Sequence, residues 1–195
     1  AYGQRGYSPG ARPNGADAYK INKISKDIFD IADTLGIDRF HLVGHDWGAG
    51  VGWYTAMNAP DRFLTWTALS IPHFGSFLRS ANEDSEQSKR SGYFKFLKKP
   101  LYPEFVMTIN NQKILSGLFS KLPEPIRNEY LSILGEPMAL TSALNWYRAI
   151  DIESVSKNAD LQKPVRVPTL FIWGTNDSVV ASGSVERARK LMPAN

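Results

Sequence analysis

Hydrophobic positions along the chain change from a helical spacing to a strand-like spacing and back. Before Gly36, isoleucine and leucine recur three or four residues apart: Ile21, Ile24, Ile28, Ile31 and Leu35. This spacing predicts an amphipathic helix, and Asp17 is its expected N-cap. A short apolar run at 39–45 follows and predicts a buried strand.

Two later apolar runs predict two more strands, at 63–71 and at 168–173. The small-residue segment 47–58 predicts a helix between the first two strands. Strands that alternate with helices in this way are typical of a parallel α/β sheet.

The alternation stops in the middle of the chain. Between residues 74 and 160, helical segments punctuated by prolines take its place. We therefore predict three parts: a first part of an α/β core at 1–73, a helical cap at 74–160 inserted after the second strand, and a second part of the core at 161–195.

Composition narrows the class of protein without identifying it. The 195 residues are 43% hydrophobic and 22% charged, with a net charge of +4 at pH 7, which is ordinary for a globular chain. No run of about 18 apolar residues and no signal-like start is present, so we predict no membrane span and no secretory leader. The lack of cysteine excludes disulfides and agrees with a predicted cytoplasmic location. The basic segment 95–99 is interleaved with aromatic residues, which favours a solvated face over a nucleic-acid site.

The strand predicted at 39–45 leads into the pattern Gly-x-Asp-x-Gly, in which Asp46 stands between Gly44 and Gly48. This is the spacing of a nucleophile elbow, a sharp strand-to-helix turn that lifts one side chain clear of the sheet. The flanking glycines let backbones pass where a Cβ would clash. An ordinary strand-end loop is the alternative, and the surrounding strand and helix favour the elbow.

An aspartate in this position implies a particular kind of reaction. The pKa of a model Asp is about 3.9, so Asp46 is an anion at neutral pH and needs no base in order to attack. Attack on a saturated carbon would form an ester, which water can cleave, whereas a serine would form a stable ether. The pattern therefore indicates displacement at an sp³ carbon, by epoxide opening or by halide displacement.

With this chemistry in view, the chain resembles the epoxide-hydrolase branch of the α/β-hydrolase family. Four motifs carry the likeness, in this order: Arg5-Gly-Tyr-Ser-Pro-Gly10, Gly44-His-Asp-Trp-Gly48, Asn145-Trp-Tyr-Arg148 and Trp173-Gly-Thr-Asn-Asp177. The likeness covers nearly the whole chain. It implies an α/β-hydrolase fold and the hydrolysis of a small apolar epoxide to a vicinal diol, with no metal and no cofactor.

The resemblance implies a role for each matching residue of the core. Asp46 matches the nucleophile, and the backbone N–H of Trp47 would be one oxyanion donor. Asp177, on the loop after the third predicted strand, matches the acid that orients a histidine base. The alternative for Asp177 is a turn-former, since Asp and Asn favour turns.

The resemblance also implies a pair of cap tyrosines. Tyr147 matches one of them, and Tyr93 matches the other by its place early in the cap. Tyrosine has a pKa near 10 and can protonate the departing alkoxide at neutral pH. The alternative is that both are amphipathic core tyrosines with hydrated hydroxyls. His73, Phe74 and Trp146 are expected to line an apolar substrate cleft.

Two features of the family are absent from this sequence. The family's base is a histidine near the C-terminus, but the histidines here are His41, His45 and His73, and none follows Asp177. The His-Gly-x-Pro loop that supplies the other oxyanion donor is also absent. We therefore expect an internal fragment of a longer hydrolase, without the C-terminal strand, helix and catalytic histidine. Such a fragment would expose apolar sheet edges, and we expect it to be poorly soluble or to need the missing parts.

Two other functions fit the same motifs. A haloalkane dehalogenase shares the Asp elbow and the following tryptophan, but its halide needs ring N–H donors rather than an acid, so Tyr147 favours the epoxide hydrolase. A non-catalytic relative would bind a small ligand in the same cleft without turnover. The sequence does not indicate an oligomeric state.

Overall fold

A three-stranded parallel sheet organises the part of the chain that the computed structural model describes, residues 1–152 and 158–192. Its strands are β1 Phe40–His45, β2 Phe63–Leu69 and β3 Thr169–Ile172, hydrogen-bonded in the order β1-β2-β3. The three predicted strands are confirmed, each within one or two residues of its expected bounds. Because the strands are parallel, their carboxyl ends lie at one edge of the sheet, where α/β proteins place their chemistry.

Helices occupy most of the remaining described residues. The α-helices are α1 Ile21–Thr34, α2 Trp47–Asn58, α3 Phe74–Glu83, α4 Ser85–Arg90, α5 Tyr93–Leu97, α6 Tyr102–Leu118, α7 Glu124–Gly135, α8 Ala139–Arg148 and α9 Ser182–Arg189. Short 3₁₀ helices occur at Ala16–Tyr19, Pro60–Arg62 and Ala159–Leu161. None of the described helices combines the length and the apolar character that a membrane crossing requires.

The described chain divides into two compact units. The helical unit comprises Ala1–Lys20 and Tyr93–Ile150, and the sheet unit comprises Ile21–Gly92 together with the described part of Asp151–Asn195. This division places α3 and α4 with the sheet, although the sequence places them in the inserted region. The predicted boundaries at 73 and 160 stay predictions, and residues 153–157 and 193–195 of the predicted parts lie outside the described residues.

The first helix differs from its prediction at the start and agrees with it at the end. Asp17 lies inside the 3₁₀ helix Ala16–Tyr19, and α1 begins only at Ile21, so the prediction that Asp17 caps this helix is wrong. A separate helical turn and its cap at Lys20 stand between the two. The helix ends before Gly36, whose φ of 68° is the left-handed conformation that glycine adopts without strain.

One face of the sheet is covered by α2 through two tryptophans. Trp53 on α2 and Trp66 on β2 are both 0% exposed, and their rings meet edge to face at 5.6 Å. The indole N–H of Trp53 donates to the carbonyl of Ile71 at 2.8 Å, so its polar atom is satisfied within the core. Gly52 permits this packing, because a Cβ there would fall inside the Trp66 ring.

The opposite face of the sheet is open within the described residues. Val43, Leu170 and Ile172 are 65%, 56% and 51% exposed. The strand register places Val43 and Leu170 on either side of Thr67, on the same face. Parallel sheets normally have both faces covered, so this apolar face is unusual for the architecture.

The helical unit has a small core of its own. Its centre is a cluster of four buried side chains from α6 and α8: Met107, Leu115, Leu140 and Leu144. Partly buried hydrophobic residues pack around it: Phe96, Leu97, Phe119, Leu131 and Leu134. These contacts hold α8, which carries one of the predicted site tyrosines.

Replacing Gly52 with alanine should destabilise the protein by about 1–3 kcal/mol, because the added methyl group overpacks the Trp66 ring. The matched control is Gly183→Ala on α9, where the nearest atom to the new Cβ is a carboxylate oxygen of Asp84 at 3.6 Å. That variant should gain about 0.5–1 kcal/mol from helix propensity. Denaturant midpoints measure both changes, and equal stability of Gly52→Ala and wild type would contradict the packing argument.

Candidate active site

The turn between β1 and α2 holds Asp46 in a strained backbone conformation. Its φ of 51° and ψ of −120° lie outside the regions that a residue with a Cβ normally adopts. The Asp46 carbonyl accepts hydrogen bonds from Ala49 N and Gly50 N, each at 3.0 Å, which tie the strained residue to the first turn of α2. A Cβ at Gly44 would collide with the carbonyl of Gly48, so the first glycine of the motif is required by this close approach.

The ionisation of the Asp46 carboxyl is perturbed by its surroundings. Partial desolvation raises its pKa; His45 and the backbone N–H of Trp47 lower it, and the negative charge of Asp177 raises it further. The net direction is upward. Asp46 as a whole residue is exposed, so water screens part of these fields.

Asp177 follows β3 at the same edge of the sheet and uses its two carboxylate oxygens differently. Oδ1 accepts from the backbone N–H groups of Val179 at 2.7 Å and Val180 at 2.9 Å. Oδ2 accepts from the hydroxyl of Ser70 at 3.1 Å. The interpretation of Asp177 as a turn-former is therefore supported for Oδ1, while Oδ2 remains directed toward other side chains.

Ser70 is a site residue that the sequence analysis missed. It stands directly after β2, with a φ of 69°, and its N–H donates to the carbonyl of Ile172 at 2.9 Å. This bond fixes the end of β2 against the end of β3 and turns the Ser70 hydroxyl toward Asp177. The signal was a small hydroxyl residue at the carboxyl end of a predicted strand, but its partner is 107 residues away in sequence.

His73 occupies a closed position at the start of α3. It is 0% exposed, its Nε2 donates to the carbonyl of Lys163 at 2.9 Å, and its Nδ1 accepts from the N–H of Ser76 at 3.3 Å. These partners require the neutral tautomer with its proton on Nε2. Burial lowers the pKa of His73, against smaller opposing effects of its backbone hydrogen bonds. The side chain acts as a helix cap in the structure, and its expected contact with substrate stays a prediction.

The aromatic residues expected at the substrate site divide between the two units. In the sheet unit, the rings of Trp47 and Phe74 meet edge to face at 6.4 Å, and Phe74 is buried. In the helical unit, Trp146 is also buried, and its indole N–H donates to the carbonyl of Arg5 at 2.9 Å. Trp146 thus ties α8 to the opening loop of the chain.

The structure brings the two predicted tyrosines together in the helical unit. The rings of Tyr93 and Tyr147 lie 6.0 Å apart at 76°, and Phe94 packs edge-on against both, at 4.9 Å and 5.1 Å. Tyr93 is 39% exposed and Tyr147 is partly buried. Two residues 54 positions apart in sequence therefore form one aromatic cluster.

An ion pair next to Tyr147 anchors its helix. Arg148 binds Glu104 with two parallel hydrogen bonds of 2.8 Å, and Thr141 donates to the same carboxylate at 3.2 Å. Burial raises the pKa of Glu104, but the hydrogen bonds from Arg148 and the other contacts outweigh it, so the pKa lies below its ordinary value. Both side chains are largely buried, and such a bidentate pair restricts the rotation of α8.

No group of three or more His, Cys, Asp or Glu side chains suited to a metal ion occurs in residues 1–152 and 158–192. The acidic pair Asp46 and Asp177 and the hydroxyl of Ser70 thus form the polar set at the sheet edge. Their assignment as catalytic groups stays a prediction at this point.

Comparison with known proteins agrees with this fold. A family model described as alpha/beta hydrolase fold matches residues 1–195. The chain belongs to the α/β-hydrolase fold family. Relatives include Epoxide hydrolase 4 of Homo sapiens, 31% identical over 185 residues that cover 89% of this chain and 50% of that protein. The chain thus spans about half the length of this relative.

Solved structures give the same fold. The crystal structure of a Bacillus megaterium epoxide hydrolase in complex with an inhibitor has a TM-score of 0.80 and 26% identity, covering 94% of this chain and 68% of that one. A structure described as a putative acyltransferase from Salmonella enterica has a TM-score of 0.81 and 25% identity, covering 97% of this chain and 66% of that one. Because the fold carries differently named activities, the chemistry has to be argued from the site.

The buried neutral His73 should make stability depend on pH. Its pKa is lowered in the folded state, so the unfolded chain binds more protons between the lowered value and about 6.5, the ordinary histidine value. The contribution of neutral His73 to the free energy of unfolding is therefore fully present above about pH 6.5 and falls as the pH drops below that value. Urea denaturation across this range should show a smaller acid-induced loss in His73→Asn, which keeps a capping oxygen, than in wild type.

The control for this comparison is His41→Asn, which removes an exposed imidazole and leaves His73 in place. It should retain the acid-induced loss of stability. An identical pH dependence of wild type and His73→Asn would contradict the assignment of this loss to His73.

Proposed function

We propose that the protein containing this chain hydrolyses an epoxide to a vicinal diol through an ester on Asp46. The observation that carries the proposal is the strained turn that presents Asp46, an exposed residue, at the carboxyl end of β1, where the charge of Asp177 acts on its carboxyl group. The Asp46 carboxylate is a nucleophile that forms a cleavable ester. The names of the relatives, several of which are epoxide hydrolases, agree with this chemistry.

In the first step, a carboxylate oxygen of Asp46 attacks one epoxide carbon and the carbon–oxygen bond of the ring breaks. The product is an alkyl ester with an alkoxide on the neighbouring carbon. An alkoxide is a poor leaving group unless it receives a proton or a hydrogen bond as it forms. We assign this role to the hydroxyls of Tyr93 and Tyr147, whose clustering in the helical unit supports their acting as a pair.

In the second step, water attacks the carboxyl carbon of the ester, which releases the diol and restores Asp46. This step needs a general base, a role that the family resemblance gives to a histidine oriented by Asp177. In the family that the chain resembles this histidine follows Asp177 in sequence, whereas the three histidines here all precede it, and His73 is held in a buried cap. The proposal therefore assigns ester formation and the orienting acid to residues of this chain, and it assigns the base to none of them.

Incubation of this polypeptide with a simple aryl epoxide should add the mass of one epoxide to it, on Asp46. Since the proposal assigns the base of the second step to no residue of this polypeptide, the adduct should persist. Intact mass and peptide mapping measure both points. Asp46→Asn should remain unmodified, because an amide is a far weaker nucleophile, whereas Asp61→Asn, which removes an exposed carboxylate elsewhere, should be modified like the wild type. An adduct on another residue, or none on folded protein, would refute the nucleophile assignment.

Replacing either tyrosine with phenylalanine should slow ester formation from an epoxide by about 10²-fold, the lower range for loss of a positioned proton donor. The same variants should leave ester formation from a primary alkyl bromide unchanged, because bromide departs without a proton. Tyr130→Phe on α7 is the control, since the Tyr130 ring stacks on Phe119. An equal fall in the rate of ester formation with both substrates would argue for a structural role of the tyrosines. Faster ester formation from the bromide than from the epoxide in the wild-type protein would favour a dehalogenase.

A further inference from the structure

A fully buried glutamine joins α4 to the loop that follows Asp177. Gln87 is 0% exposed, and its Oε1 accepts from the N–H of Ala181 and the hydroxyl of Ser184, each at 2.8 Å. Its Nε2 donates to the carbonyl of Val179 at 2.8 Å and to the hydroxyl of Ser91 at 2.9 Å. Both donors and both acceptor positions of the amide are therefore used, three of the four on the 179–184 segment.

An arginine one turn further along α4 holds the same loop. Nη1 of Arg90 donates to the backbone carbonyl of Asp177 itself and, at 3.0 Å, to the carbonyl of Val180. Its Nη2 pairs with Glu86 on the same helix, which orients the guanidinium. Arg90 thus binds the first and the last residue of the turn 177–180, in which Oδ1 of Asp177 accepts from the N–H groups of Val179 and Val180.

These contacts are more than helix packing, because they define where the carboxylate points. The loop amides of Val179 and Val180 hold Oδ1 of Asp177, and α4 in turn holds the carbonyls of the same two residues. Oδ2 is thereby left on the side of Ser70. A polar side chain as buried as Gln87 is retained only where all its hydrogen bonds are made, so its geometry admits little variation.

We propose that Gln87 and Arg90 are positioning residues for Asp177, and that α4 acts as the support that fixes the direction of the Asp177 carboxylate. This inference rests on the proposed function, in which Asp177 orients the base of the second step. It predicts that the two half-reactions respond differently to changes in α4. Ester formation depends on Asp46 and a proton donor, whereas ester hydrolysis depends on a base that Asp177 has to hold in place.

The test measures both half-reactions in the protein that contains this chain, by rapid quenching with an aryl epoxide followed by intact mass. Arg90→Met removes both hydrogen bonds that Nη1 donates to the loop. The Arg90 side chain is 30% exposed, so the variant should fold. Ester formation should be unchanged, and ester hydrolysis should slow by about 10- to 100-fold, the loss typical of a misplaced catalytic group. The esterified enzyme should then accumulate. Arg90→Lys retains a charge and a donor and should recover part of the hydrolysis rate.

Gln87→Met is the second variant, and it should also slow ester hydrolysis while leaving ester formation unchanged. Arg79→Met is the matched control, because Arg79 on α3 also forms an ion pair within its own helix, with Glu83 four residues away. The hydrogen bonds from α4 to the loop after Asp177 do not involve Arg79. It should leave both steps unchanged. Thermal melting of each variant monitors folding.

The outcomes separate this inference from the proposed function. Hydrolysis at the wild-type rate in both α4 variants, or an equal fall of both half-reactions, would overturn the positioning role. Failure of the wild-type protein to form an ester on Asp46 would instead overturn the proposed function, and the inference with it. A selective loss of hydrolysis in Arg90→Met and Gln87→Met, with Arg79→Met unaffected, would support it.

Discussion

The strained turn at Asp46 is the constraint on which the rest of the sheet unit depends. A residue with a Cβ at a φ of 51° costs about 1–3 kcal/mol, so the surrounding structure has to hold it there. The first turn of α2 does so through the Asp46 carbonyl, and Gly44 lets the backbone of Gly48 approach where a Cβ would collide with it. The large rings of Trp53 and Trp66 then hold α2 against the sheet.

The strand order completes the site. Because β1, β2 and β3 are parallel neighbours, the residues that follow them, Asp46, Ser70 and Asp177, emerge at one edge. Desolvation is the main cause of the raised pKa of Asp46, and the negative charge of Asp177 adds a smaller upward contribution, although 131 residues separate the two in sequence. Ser70 links the end of β2 to β3 and the loop after it: its N–H donates to the carbonyl of Ile172, and its hydroxyl donates to the carboxylate of Asp177. The arrangement depends on the sheet and not on local sequence.

In the helical unit, a few side-chain contacts fix the helix that carries Tyr147. Its two tyrosines and Phe94 form a cluster whose helix, α8, is fixed by the Arg148–Glu104 pair and by the apolar core around Leu144. A buried bidentate pair is a specific device for orientation, since its strength depends on geometry more than on charge alone. Trp146, predicted from its motif as a substrate contact, is directed inward and ties the opening loop to α8.

Local pattern was sufficient for the strands, for α1 beyond its start, and for the Asp46 turn, because spacing and glycine placement act within a few residues. It failed at Asp17, where a separate 3₁₀ turn intervenes, and it did not reveal that His73 is a buried cap held by Lys163. Nor did it find Ser70, Gln87 or Arg90, whose partners lie 87 to 107 residues away. Sequence by itself determined which residues could form the nucleophile turn. Only the tertiary structure decided which side chains surround and support it, because hydrogen bonds between distant segments exist only once the parallel strands have brought those segments together.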